Sequence, residues 1–147
     1  MEVNSMHDEN LFIDDQHPKS RRFAVLEDDG TSAWLYLTKP DDQTPIADIW
    51  VFNRIDAPPV SAIESYRGSP PPAAIGYTNS ETALIKSPLD HEWSFLWSPD
   101  GESVAALKDD VPVAFLVSDE KQGYSRELIQ DGPWGRIWSE ERFQTTF

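Results

Sequence analysis

With 147 residues and 39% hydrophobic side chains, six of them tryptophan, the chain is the size of one domain and carries enough apolar material to build a core. Its 12 basic and 26 acidic residues leave a formal net charge of −14; such a field repels nucleic-acid phosphates and anionic lipid surfaces and attracts basic proteins. The absence of cysteine excludes disulfides, thiolate metal sites and a cysteine nucleophile.

Residues 1–20 are polar and acidic, with Leu11-Phe12-Ile13 as the only apolar cluster. They read as a flexible acidic arm, with room for one short strand or turn, ahead of a single β-rich domain over 21–147. No basic region followed by an apolar stretch opens the chain, so a cytoplasmic location is expected. Arg22–Leu26 and Ala33–Leu37 are β-prone runs joined by the acidic turn Glu27-Asp28-Asp29-Gly30, which predicts a hairpin over 27–31. After the turn Pro40–Gln43, Ile46–Asn53 is rich in β-branched and aromatic residues and reads as a third strand.

Residues 57–74 break the pattern. Five of the twelve prolines fall there, and proline has no amide to give to a sheet. A long surface loop is predicted, with Val60–Tyr66 as a short strand or helical turn. β-rhythm returns at Thr82–Lys86. Glu92–Trp97 places Trp93, Phe95 and Trp97 on one face of a strand, and Ser98-Pro-Asp-Gly101 is a turn, predicting a second hairpin over 98–102. Ser103–Lys108, Asp109-Asp110 and Pro112–Val117 complete a meander. Near the end, Ser139 is placed to cap one helical turn, Glu140–Phe143. The fold class expected is therefore mostly β: an antiparallel sheet of hairpins and meander with a long Pro-rich loop and little helix.

Chemistry-bearing motifs are scarce. His7, His17 and His91 have no metal-ligand spacing, and His91 between Asp90 and Glu92 reads as a loop histidine. No Gly-x-Ser-x-Gly, Walker or dinucleotide motif occurs. Asp28, Asp29 and Asp48 offer carboxylates for acid–base work, but among 26 acids such pairs arise by chance and a turn role fits Asp28 and Asp29 better. Neither metal, cofactor nor catalytic residue is expected.

Phe23–Gly30, Ala33-Trp-Leu-Tyr36, Ile46-Ala-Asp-Ile49, Trp97-Ser98, Ala105-Ala-Leu107, Ala114-Phe115 and Gly123-Tyr-Ser-Arg126 occur in that order. Together they resemble the bacterial domain of unknown function 2251 family over roughly residues 22–127. The resemblance implies no catalytic residues. It implies a small acidic immunity partner of a secreted toxin, in a heterodimer with a basic toxin domain such as one that acts on nucleic acid as a nuclease or deaminase does, without direct contact to nucleic acid or membrane. The candidate partner-binding residues are those of the acidic turns, Asp28 and Asp29, Asp109 and Asp110, Asp119 and Glu120, with Trp134 and Trp138 in the aromatic tail. The alternative is a ligand-binding or hydrolytic β domain using clustered carboxylates. A concave pocket joining carboxylates to aromatics favours that alternative, and a convex acidic face favours the first reading.

Overall fold

In the computed structural model, residues 9–147 are described; His7 and the first eight residues of the expected arm lie outside them. Four strands, β1 (Phe12–Gln16), β2 (Arg22–Asp28), β3 (Ser32–Pro40) and β4 (Pro45–Asn53), form one antiparallel sheet in chain order. A second sheet holds β5 (Trp93–Trp97), β6 (Ser103–Lys108), β7 (Val111–Val117), β8 (Tyr124–Ser125) and β9 (Arg136–Ile137), again in chain order. Its last pair, β8 with β9, is parallel and every other pair is antiparallel. A 3-10 segment (Val60–Tyr66), a helical turn α1 (Ser80–Ala83), a second 3-10 turn (Pro88–Asp90) and a C-terminal helix α2 (Glu140–Thr146) complete the chain. The mostly-β expectation holds, with the strands divided between two sheets.

Alternation of side chains along each strand explains the packing. The inner face of the first sheet carries Ala24 and Leu26 of β2, Ala33, Leu35 and Leu37 of β3, and Ile49 and Phe52 of β4, all buried. The second sheet presents Trp93, Phe95 and Trp97 of β5 with Val104, Ala106, Ala114 and Leu116. Phe52 stacks on Trp93 across the gap at 5.1 Å between ring centroids. A bulge in β4 makes this possible. Trp34 pairs with Trp50 but Ala33 pairs with Phe52, so Val51 is the extra residue and parity flips. Without it Trp50 and Phe52 would share one face.

Both seams between the sheets are closed. Along β4, the amide of Asp48 donates to the Lys121 carbonyl (3.2 Å), that of Gly123 to Asp48 (3.2 Å) and that of Trp50 to Trp134 (3.1 Å), so the strand's outer edge is satisfied. On the other side, Trp97 Nε1 donates to Asp15 Oδ2 (2.8 Å), His17 meets the Trp97 ring edge-on, and Arg22 pairs with Glu102 at 3.0 Å. Gly101 sits in this seam at φ +73°, where a Cβ would enter the His17 ring and the Ser20 hydroxyl. Left-handed backbone and close approach both require glycine there.

Both predicted hairpins form, β2–β3 around Asp29–Thr31 and β5–β6 around Ser98–Glu102. Between β6 and β7, Asp109 and Asp110 both take positive φ (51° and 69°), as a two-residue type I′ turn demands. Three expectations need correction. Phe12–Gln16, assigned to the arm, is a sheet strand paired residue for residue with β2, with Leu11 buried beside it and Ile13 packed against the core. The Pro-rich stretch is a surface segment only in part. Asn53 donates to and accepts from Ala73 (3.0 and 2.9 Å), pulling Pro72, Ala73 and Ala74 into the interior. Thr82–Lys86 starts in the turn α1 and meets β4 only through a single bridge, Leu84 to Asn53.

The outer face of the second sheet is covered by the chain's own C-terminus. Phe143 of α2 and Phe147 just after it pack with Trp138 around Phe115, each within 5.7 Å between centroids. As expected from sequence, Ser139 caps the helix, its hydroxyl accepting from the Arg142 amide at 3.1 Å. Ser139→Ala is expected to lower stability by about 1 kcal/mol, measured as a shift in the urea midpoint at unchanged slope.

Candidate interaction face

The first sheet has no such cover over most of its outer face. Strand register arranges that face in two rows. One runs Asp14, Val25, Tyr36, Asp48, each residue directly opposite the next. The other runs Phe12, Glu27, Trp34, Trp50. Directly opposed side chains lie about 4.5–5.5 Å apart at Cβ. At the β3–β4 end the second row disappears under the Pro-rich segment. Ser32 Oγ donates to the Pro70 carbonyl (3.1 Å), and Trp34 and Trp50 are buried, Trp50 donating to Asn53 at 2.8 Å. The remainder is open, and Phe12 is 56% exposed.

Two concavities flank Tyr36. The larger, about 270 Å³, is lined by Phe12, Asp14, Val25, Glu27, Tyr36, Thr38, Gln43 and Pro45. The smaller, about 190 Å³, lies between Trp34, Tyr36, Asp48 and Pro70-Pro71. Burial, with the charges of Asp48, Glu27 and Asp29 adding to it, pushes the Tyr36 phenol up to about 12. Burial likewise raises the Asp48 carboxyl above its ordinary value. This is a locally negative, partly dry surface with an aromatic at its centre.

The protein's own cations do not neutralise it. Arg21 pairs with Asp41, Arg22 with Glu102, Arg54 with Asp28, Arg126 with Glu140, and Arg136 and Arg142 with Glu120. Among the described residues Asp14, Glu27 and Asp48 enter no ion pair, and no Lys or Arg lines either concavity.

The eight residues singled out from sequence fare differently. Asp28 is not at an exposed tip. Its carboxylate is buried, pairs with Arg54 at 2.7 Å, and accepts from the amides of Gly30 (2.9 Å) and Leu11. Strand alternation turns it inward, opposite Ala33, and therefore away from Asp48; the two cannot act as a carboxylate pair. Asp29 is exposed, accepts from the Thr31 amide at 2.9 Å, and is near enough to act on Tyr36. Asp109 and Asp110 are exposed. Asp109 takes the Glu92 amide (2.9 Å) and the His91 ring (2.8 Å), which together lower its carboxyl from the ordinary value. Asp119 is exposed beyond the other end of β7, a strand of seven residues, and so roughly 20 Å off. Trp134 is buried, and Trp138 is half-buried under the Arg126 guanidinium, 3.9 Å from its ring centre. These positions do not compose one surface.

Glu120 is a structural hub, accepting from Arg136 (2.8 Å), Arg142 (2.8 Å) and the Tyr124 hydroxyl (2.9 Å). Burial works to raise its carboxyl, but the hydrogen bonds from Arg142, Tyr124 and Arg136 outweigh it and hold the group below its ordinary value. A carboxyl depressed in the folded state stabilises the fold above its unfolded pKa, and that contribution is lost as pH falls through the folded one. Glu120→Gln is therefore expected to lower stability at neutral pH and to lose less than the parent on acidification to about pH 3, read from urea curves at both pH values.

Of the face residues, sequence pointed to Asp48 only as a chance acid–base carboxylate, and Phe12, Asp14, Val25, Glu27 and Tyr36 were not picked out. The signal available was the alternation Phe12-x-Asp14 and Val25-x-Glu27, but only strand register shows that they meet. Among the described residues no group of three or more histidine or acidic side chains is placed to hold a metal ion, and no helix is long and apolar enough to cross a membrane. No family model, curated protein or solved structure matches the chain.

Proposed function

We propose that the chain is a cytoplasmic immunity protein that binds a basic toxin domain through the outer face of its first sheet and blocks that toxin's site without catalysis. The observation that carries this reading is the face itself: Asp14, Glu27 and Asp48, which enter no ion pair among the described residues, around Phe12, Val25 and Tyr36. Apolar and aromatic area at the centre supplies affinity, and the carboxylates supply steering and register for a cationic partner. A toxin that acts on nucleic acid must hold phosphates and is basic for that reason; an acidic face matches it while the net charge of −14 keeps nucleic acid itself away.

The experiment uses the domain encoded immediately upstream of this chain's gene, expressed alone and with it. Co-expression is expected to restore growth, and the purified pair to form a 1:1 complex whose association rate falls with salt. No neutralisation and no complex would overturn the proposal.

The larger concavity supports a second reading, a small-ligand or hydrolytic β domain, because it joins two carboxylates to two aromatics. Its exposed Phe12 and Glu27 leave it open to water, which weakens every electrostatic interaction a hydrolase would need there. Native mass spectrometry of the purified protein checks this reading, which requires a co-purifying or saturably bound small molecule.

A further inference from the structure

We propose that the 270 Å³ cleft across β1, β2 and β3 is a receptor for one arginine or lysine side chain projecting from the partner. The inference rests on reading this face as the partner-binding surface and adds what the cleft accepts. Its volume lies below the ~300–1,000 Å³ of ordinary small-molecule pockets, and its open mouth suits a side chain entering from another protein.

The walls match the two halves of a long cationic side chain. Phe12, Val25 and Pro45 offer apolar surface to the methylene stem, and the Tyr36 ring can receive a cation on its face. Asp14 and Glu27 supply the counter-charge. Register places Asp14 opposite Val25 and Glu27 opposite Phe12, so the two carboxylates occupy diagonal corners of a square. Diagonal neighbours on a sheet are about 7–8 Å apart. That is too wide for the carboxylates to hydrogen-bond each other and wide enough to admit an ammonium or guanidinium between them. Neither carboxylate has a cationic partner among the described residues, and no basic side chain lines the cleft. A planar guanidinium, able to bond both carboxylates while lying on an aromatic ring, fits this arrangement better than an ammonium.

The test is an amide NMR titration of the whole protein with N-acetyl-arginine N-methylamide, compared with the citrulline analogue of the same shape and no charge. Saturable shifts are expected at residues 12–14, 25–27 and 36, with the citrulline compound binding at least about tenfold more weakly. Asp14→Asn with Glu27→Gln should abolish the difference between the two probes. Glu27→Gln alone should reduce it, which keeps the test open if the double variant does not fold. Equal responses to both probes, or shifts centred elsewhere, overturn the inference. A silent arginine probe beside a toxin that still binds this face would reject the cleft and leave the function standing. A responsive cleft with no toxin binding would do the reverse.

Discussion

Replacing Asp28 by alanine is expected to cost about 3–5 kcal/mol, a large part of the roughly 5–15 kcal/mol by which a domain is stable. The carboxylate is fully buried and the Arg54 side chain is 7% exposed. Truncation would leave a guanidinium in the interior with its Asp28 partner removed and would strip the acceptor from the amides of Leu11 and Gly30. Leu11 leads into β1, so loss of this anchor should also loosen the edge of the first sheet. Urea denaturation measures the effect. Pairing Asp28→Ala with Arg54→Leu should recover much of the loss, since the penalty comes from the orphaned charge. A single-variant loss below about 1 kcal/mol would mean that water reaches Arg54 and the pair is merely a surface ion pair.

That result bears on how far the sequence alone could be read. The Glu27-Asp28-Asp29-Gly30 turn was legible because Asp and Gly between two β-prone runs leave few alternatives. Which of its acids faces water was not. Asp28 is drawn inside by Arg54, 26 positions away, and nothing local to the turn announces that cation. The meander over 92–117 was legible for the same local reasons, and Trp93, Phe95 and Trp97 face the core together as their spacing requires. β1 was legible only as one short strand or turn in a loose arm, and its place in the sheet was not, because five residues with two carboxylates carry a weak signal and their pairing with β2 closes through a turn held by His17 Nδ1 and the Ser20 hydroxyl. The division into two sheets depends on long-range contacts: the β4 bulge at Val51 and the backbone bonds from β4 to residues 121–123 and 134. The candidate face is a product of register across four strands. A one-residue slip would bury Tyr36 and expose Leu35, so no property of the single strands reveals it.

Charge reversal should separate this face from the acidic turns. Glu27→Lys with Asp48→Lys is expected to weaken the complex with the proposed toxin partner by about 30-fold to several thousand-fold, the 2–5 kcal/mol that truncating a desolvated charge pair costs. Asp48 carries more of this than Glu27. Burial raises its carboxyl above the ordinary value, and it borders the cleft walled by Trp34, Tyr36 and Pro70. A partner cation there would replace lost water and pull that carboxyl back down, so formation of the complex should release protons as pH nears the ordinary carboxylate range from above. Reversal of Asp109 and Asp110 should act differently. Both are exposed, and Asp109 already answers His91 and the Glu92 amide, so the change should slow association modestly and leave dissociation unaltered. Rates measured at low and high salt for both double variants decide between the surfaces. If the turn variant loses the complex and the face variant keeps it, the toxin docks on the second sheet, and the aromatic surface around Trp138 becomes the place to look for its footprint.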